Sequence, residues 1–212
     1  MNYLYTNPKN PLVMTAAISE KSPRTRYAGE KYRDVEKKVE ASSRHEAFVL
    51  FENAKKRLND INNWQLLCGK TPAEFHLTDE MGNLLNVSAP QTGNLIRVRC
   101  YDKGKDKFIW YRIEEFMHGK NLLKDTEDFG FKVIMVSGPS APQHSEEGIT
   151  CTFVVTRSGC KVSAVETERS RVVTRDGIPV LAQLRDKLQH VFSWINSSNQ
   201  QWKSLINGVL QY

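Results

Sequence analysis

The stretch from Ile178 to Tyr212 constrains the fold most, because its pattern predicts a long amphipathic helix. Apolar residues recur there at steps of three and four positions, which is the spacing of one face of an α-helix. The first part of this stripe consists of Leu181, Leu184, Leu188, Val191, Phe192 and Ile195. After Ser198 the pattern resumes with Trp202, Leu205, Ile206, Val209 and Leu210. Large apolar side chains are unfavourable in water, so the helix needs an apolar surface on which to pack.

The middle of the chain, from Ala73 to Arg175, supplies that surface. Its apolar pattern has a period of two, which indicates β-strands. The predicted strands are Glu74–Thr78, Leu95–Tyr101, Lys107–Phe116, Phe131–Val136, Thr150–Thr156 and Lys161–Thr174. No helical pattern separates them, so we expect an antiparallel meander. The last two form a hairpin that turns at Ser158-Gly159, which would place Cys151 opposite Glu166.

An additional strand and helix precede this sheet. Asp34–Ala41 alternates apolar and charged residues, as an edge strand does. Ser43 and Glu46 form a capping box that begins a helix. The buried stripe of that helix is predicted to be Ala47, Leu50, Phe51, Ala54, Leu58 and Ile61. We expect Trp64 and the two leucines after Gln65 to close the helix end against the core.

Composition and charge argue against several classes of function. The net charge of +6 comes from 30 basic and 24 acidic residues that are interspersed, whereas a nucleic-acid-binding protein concentrates basic residues on one face. No apolar run approaches the length of a membrane span, and the N-terminus lacks a secretory-signal pattern. The 4 cysteines form no paired motif, which fits reduced thiols. We expect a cytoplasmic protein without nucleic-acid partners.

The order of elements predicts an α+β fold, in which a curved antiparallel sheet of six to seven strands grips a long C-terminal helix. An additional helix follows the first strand and ends in Asp60-Ile61-Asn62-Asn63-Trp64, and a later strand begins at Gly93-Asn94-Leu95-Ile96. With these "D-x-x-x-W" and "G-x-x-I" segments the chain resembles the helix-grip superfamily of START-related and polyketide-cyclase-like proteins. A lipocalin-like barrel with a terminal helix and a hot-dog-like sheet are the alternatives.

The resemblance covers about residues 34–196 and implies three parts of the chain. Residues 1–33 would be an N-terminal arm, and residues 34–196 a single helix-grip domain. Residues 197–212 would be a helical extension that packs on the domain or on a partner. The arm and the extension are therefore the candidate contacts of a homodimer.

The resemblance also implies a small, largely apolar ligand between the sheet and the C-terminal helix. The candidate ligand-binding residues are Arg97, Arg99, Trp110, Phe153, Val155, Glu166, Leu188 and Phe192. Glu166 shares a face with apolar residues of its hairpin, where burial would raise its pKa and make it an acid, a base or a ligand anchor. Alternatively, Glu166 is hydrated at the rim. Arg97 and Arg99 either bind an anionic group or form a solvent-facing row.

Motifs for catalysis and metal binding are missing from the sequence. His45-Glu46 begins like a zinc-protease motif, but Val49 stands where the second histidine is needed. We therefore expect no metal and no cofactor. The sequence favours a binding protein without dedicated catalysis. The alternatives are a cyclase- or dehydratase-like enzyme that uses a cavity carboxylate, and an interaction protein with a packed core.

Overall fold

The structure, a computed structural model, describes residues 30–69, 73–86, 89–102, 105–140, 149–171, 174–175, 178–179 and 201–211. The first half of the chain contains β1 (Glu30–Glu40), α1 (Arg44–Asn59), a 3₁₀ turn (Ile61–Asn63), α2 (Trp64–Leu67), β2 (Glu74–Thr78) and β3 (Leu95–Asp102). The second half contains β4 (Lys105–Asn121), β5 (Thr126–Val136), β6 (Ile149–Ser158), β7 (Lys161–Arg171), β8 (Thr174–Arg175) and β9 (Ile178–Pro179). Residues 201–209 are helical, and this described segment is called α3.

Strands β1 to β7 form one antiparallel sheet in the order β1-β7-β6-β5-β4-β3-β2. The meander from β2 to β7 follows the chain, and β1 pairs with β7 at the other end. With α1 between β1 and β2 and α3 against the sheet, this is the predicted α+β helix-grip fold. The predicted edge position of the first strand is also confirmed, but β1 begins at Glu30, within the predicted arm.

Helix α1 begins as the capping pattern predicted, with one difference. The Ser43 hydroxyl accepts a hydrogen bond from the Glu46 amide at 3.1 Å, while the Glu46 carboxylate accepts one from the Ser42 amide at 2.8 Å. The reciprocal bond therefore lies one residue before the cap. The whole predicted apolar stripe of α1 is buried, and so is Trp64. Leu66 was predicted to be buried, but it is 75% exposed, because it lies on the side of the short helix α2 that faces away from the buried Trp64.

Helix α3 packs on the face of the sheet that we call the inner face, which carries Phe75, Tyr111 and Phe153. The Trp202 ring lies 5.2 Å from the Phe153 ring and 5.9 Å from the Phe75 ring, measured between centroids. The apolar residues of α3, together with the residue directly after it, are all buried in the same core: Trp202, Leu205, Ile206, Val209 and Leu210. The inner face of the sheet is therefore the apolar surface on which the predicted stripe packs.

The β6–β7 hairpin has a different register from the predicted one. Ser158 pairs with Lys161, so the turn residues are Gly159 and Cys160, and Cys151 lies opposite Glu168 instead of Glu166. Gly159 takes a left-handed conformation with φ of 58°, which glycine adopts readily and other residues do not. Since the register moved by an even number of residues, every side chain keeps its predicted face.

The predicted start of the C-terminal helix at Ile178 is wrong, because Ile178–Pro179 is a strand paired with Thr174–Arg175. Proline has no amide hydrogen and fixed φ, and the residue before it is disfavoured in helical conformation, so an extended segment here is reasonable. The apolar stripe from Leu181 to Ile195 lies outside the described residues.

The turn end of β6 carries a partly buried ion-pair network that makes the free energy of unfolding depend on pH. Arg157 is 6% exposed, and its guanidinium lies 2.8 Å from the Asp125 carboxylate and 3.3 Å from that of Glu127. The hydrogen bond from Arg157 lowers the pKa of Asp125. Lys120 and then Arg157 lower the pKa of Glu127. A carboxylate with a lowered pKa stabilises the fold above its ordinary pKa and loses that contribution as the pH falls.

We therefore expect Arg157→Met to lower the free energy of unfolding at pH 7. The difference in this free energy between wild type and the variant should become smaller as the pH falls from 5 to 3. Urea unfolding at several pH values measures this. Arg99→Met is the matched control, because Arg99 pairs with Glu74 and Asp106 on the surface, where ion pairs contribute little. If the difference in the free energy of unfolding between wild type and Arg157→Met stayed constant with pH, this would contradict the role of the ion pairs of Arg157 with Asp125 and Glu127.

Candidate functional site

Two rows of side chains cross the inner face near the β1 edge of the sheet. Strand pairing places Arg33 of β1 opposite Glu168 of β7, and Glu168 opposite Cys151 of β6. In the neighbouring row, Glu166 lies between Val35 of β1 and Phe153 of β6. Because residues two apart on a strand share a face, both glutamates point to the same side of the sheet. The site thus combines two carboxyl groups with an apolar surround.

Glu166 is the most unusual residue of this site. It is 0% exposed, and neither of its carboxylate oxygens has a hydrogen-bond partner among the described residues. Burial raises the pKa of Glu166 to about 8, against the lowering effect of Arg33 and with a further rise from Glu168. The Cys151 thiol, a weak donor, is near enough to lower this pKa slightly, but it does not reach hydrogen-bond geometry to either oxygen. A carboxyl group with this pKa is mostly protonated and uncharged at pH 7.

Cys151 and Glu168 lie beside Glu166 and are also buried. One donor atom from each of these three residues, a thiol sulfur or a carboxylate oxygen, lies within 4.8 Å of the other two. We call Cys151, Glu166 and Glu168 the acidic cluster. Burial raises the pKa of the Cys151 thiol well above its usual value and also raises the pKa of Glu168.

Arg33 connects the acidic cluster to the edge of the sheet. Its guanidinium donates a hydrogen bond to the Glu168 carboxylate at 2.8 Å, in an ion pair. The side chains of Arg33 and Glu168 are 21% and 10% exposed, so this end of the site reaches solvent. The ion pair compensates the charge of Glu168, and Glu166 has no such compensation from a described hydrogen-bond partner.

Of the predicted site residues, the structure brings together Phe153, Val155 and Glu166, all fully buried on the inner face. Arg97, Arg99 and Trp110 lie on the opposite, outer face, since Arg97 pairs with Trp110 and their strand neighbours Ile96 and Val98 are buried.

The contacts of the two arginines are with other outer-face groups. The Arg97 guanidinium lies 5.4 Å from the centroid of the Phe108 ring, and Arg99 is paired with Glu74 and Asp106. An arginine on this face cannot act together with Glu166. Leu188 and Phe192 lie outside the described residues.

Three residues of the site were missed by the sequence interpretation: Arg33, Glu168 and, as a functional group, Cys151. Arg33 was placed in the arm because its neighbours show no apolar alternation. Glu168 follows Ala164 and Glu166 at steps of two, and this spacing already predicted a shared face. The predicted hairpin register put the wrong pairs opposite each other and hid the proximity of Cys151 to Glu168.

Comparison with known proteins gives likenesses of shape at low sequence identity. The protein TTHA0849 from Thermus thermophilus is 13% identical, with a TM-score of 0.40 over 85% of this chain and 94% of that one. Ginseng major latex-like protein 151 from Panax ginseng is 10% identical, with a TM-score of 0.40 over 84% and 95%. Truncated norcoclaurine synthase from Thalictrum flavum is 7% identical, with a TM-score of 0.40 over 88% and 99%.

No protein-family profile and no curated protein matches the chain. Likenesses at these identities and TM-scores do not bear on ligand or catalysis, so any functional conclusion has to come from the residues of the site alone. None of the helices in the described part of the chain has the length and apolar character needed to cross a bilayer.

Proposed function

We propose that the protein binds a small, largely apolar molecule between the inner face and the C-terminal helix, without dedicated catalysis. The observation that carries this proposal is the Glu166 carboxyl group, which is fully buried and has no hydrogen-bond partner among the described residues. A buried acceptor left without a donor destabilises the folded protein by about 1–3 kcal/mol. A bound molecule with a hydrogen-bond donor would remove that cost.

The surroundings of Glu166 favour a molecule whose other parts are apolar. Phe153 and Val35 flank it in its own row, and Ala164 and Val155 form the next row of the inner face. Ligand sites in proteins commonly combine an apolar lining with a few polar groups that fix orientation. In this proposal, the apolar residues provide the contact area and Glu166 orients the ligand through its polar group.

The enzyme alternative uses the same carboxyl group as a proton donor or acceptor to a bound substrate. Both hypotheses require binding, which therefore has to be shown first. The interaction alternative depends on a C-terminal extension that is free to meet a partner. Since α3 buries its apolar residues in the core of its own chain, we infer that this segment stabilises the domain.

A pair of ligands that differ in one donor tests the proposal. The comparison is made at about pH 9.5, where most of the Glu166 carboxyl group, with its pKa of about 8, is ionised and only accepts hydrogen bonds. We expect decanol to bind about ten times more tightly than decyl methyl ether when each displaces the fluorescent probe N-phenyl-1-naphthylamine, because only decanol donates a hydrogen bond; tenfold corresponds to about 1.4 kcal/mol. Fluorescence displacement gives both affinities.

The variant Glu166→Leu should abolish this preference, since the acceptor is removed while the volume changes little. Arg97→Gln on the outer face is the control and should keep it. Failure of both ligands to displace the probe would contradict binding on the inner face. An unchanged preference in Glu166→Leu would contradict the role of Glu166.

A further inference from the structure

We infer that the acidic cluster is a binding site for one divalent transition-metal ion of the zinc class, with Cys151, Glu166 and Glu168 as its protein ligands. The inference concerns the same site as the proposed function but does not rest on it, because metal binding requires no apolar ligand.

The donor set fits this class of ion. The three donor atoms lie within 4.8 Å of one another, so small side-chain movements would place all of them around a single ion, with bonds of about 2.0–2.3 Å. Magnesium and calcium prefer oxygen ligands only, whereas zinc and its neighbours accept a thiolate together with carboxylates. The presence of Cys151 in the cluster therefore selects a softer ion.

An independent observation points to a missing occupant. Glu166 has no exposed surface and both its oxygens lack a hydrogen-bond partner in the part of the chain that the structure describes. Buried polar groups in proteins are nearly always satisfied, and an unsatisfied one calls for a water, an ion or a ligand. A cation between the carboxylates and the thiolate would satisfy Glu166 directly.

The charges of the cluster and its neighbour also match a divalent cation. With both carboxylates and the thiolate ionised, the acidic cluster carries three negative charges, and the paired Arg33 contributes one positive charge. The sum of minus two is cancelled by one divalent ion. Buried charges are tolerated only when they are compensated in this way, so a monovalent or trivalent ion is a poorer match.

Arg33 has a supporting position in this site. Its guanidinium donates a hydrogen bond to the Glu168 carboxylate at 2.8 Å and so fixes the orientation of that group. In other metal sites, hydrogen bonds of this kind orient the side chains that bind the ion. The partial exposure of the Arg33 and Glu168 side chains offers a route from solvent. Three protein ligands leave one position of a tetrahedral ion for water or for the polar group of a bound molecule.

Cobalt titration of the full-length protein tests the inference. We start from chelator-treated, reduced protein and add Co²⁺, which absorbs in the near ultraviolet when a thiolate is bound to it. The expected result is one equivalent of Co²⁺ bound with a thiolate band, which Zn²⁺ then displaces. In Cys151→Ser the band should be lost, and in Glu166→Gln the affinity should fall at least tenfold.

Cys160→Ser is the matched control, because Cys160 is a partly exposed thiol in the hairpin turn and should not affect binding. Zn²⁺ should also raise the melting temperature of wild type and Cys160→Ser but not of Cys151→Ser, and circular dichroism verifies that each variant is folded. No thiolate band in wild type, or a band that survives in Cys151→Ser, would overturn the inference. Because the ion and the alcohol would contact the same Glu166 carboxylate, the alcohol and ether are compared on chelator-treated protein, which keeps the two tests distinguishable.

Discussion

Replacing Trp202 by alanine is expected to lower the free energy of unfolding by about 4 kcal/mol, the range found when large buried aromatic residues are truncated. Trp202 is 1% exposed. Its ring lies 5.2 Å from Phe153, 5.9 Å from Phe75 and 6.1 Å from Tyr111, measured between centroids. The three partners belong to β6, β2 and β4, so one side chain connects the C-terminal helix to strands across the sheet.

Urea unfolding followed by circular dichroism measures the effect of Trp202→Ala. The control is Lys203→Ala, since Lys203 is the exposed neighbour on the same helix. We expect the control to change stability by less than about 0.5 kcal/mol, as is usual for surface positions. A loss in Trp202→Ala as small as that of the control would mean that α3 does not pack on the sheet.

Replacing Gly208 by alanine is expected to lower the free energy of unfolding by about 3 kcal/mol, because the added methyl group overpacks a close contact. A Cβ atom at this position would lie 2.4 Å from the Leu67 carbonyl oxygen and 2.8 Å from the Leu67 Cβ. Backbone atoms of α2 cannot move away without disturbing the neighbouring Trp64. If α3 were not packed on α2, the substitution would instead stabilise the helix by about 1 kcal/mol, because alanine favours helix formation more than glycine does. The sign of the change in the free energy of unfolding therefore distinguishes the two cases.

Asn207→Ala is the control for Gly208→Ala, because Asn207 is exposed on the same helix. Its backbone carbonyl accepts a bond from Lys37 at 2.9 Å, which the substitution retains. We expect the control to be neutral or slightly stabilising. Stabilisation in both variants would show that α3 does not approach α2 and would contradict the described packing.

Much of the fold follows from the periodicity of the sequence. The stripe of α1, the alternation in β2 and β3, and the stripe of Trp202 to Leu210 each identify the buried face correctly, because burial requires a repeat that matches the backbone geometry. The sheet order then follows from short connections between sequential strands. Pattern therefore determines which side chains are buried more reliably than where an element ends.

The ends of β4 and β5 show why. The register of β4 and β5 shifts between Ile113 and Glu115, and such a bulge interrupts the alternation on which the prediction relied. The predicted strand also stopped at Phe116, because few apolar residues follow it, although β4 continues to Asn121. In β5, Gly130 weakened the strand pattern, but a Cβ there would lie 2.2 Å from the Phe153 carbonyl oxygen. A close approach of two backbones requires this glycine.

The candidate site was predictable in part. The spacing from Val162 to Glu166 placed the carboxyl group on the apolar face, and the structure confirms that placement. The neighbours of Glu166 depend on hairpin register and on the pairing of β1 with β7, which a chain's local pattern does not determine. For that reason Arg33 and Glu168 were not recognised, and Arg97 and Arg99 were considered in their place.

The central claim is that the carboxyl group of Glu166 is satisfied by a bound group that is not part of the protein. A crystal structure of natively purified protein, with diffraction recorded above and below the zinc absorption edge, tests it most directly. We predict non-protein density in contact with Glu166, from an ion that also contacts Cys151 and Glu168 or from a bound molecule. A Glu166 carboxyl group hydrogen-bonded only to other side chains, without such density, would contradict the account.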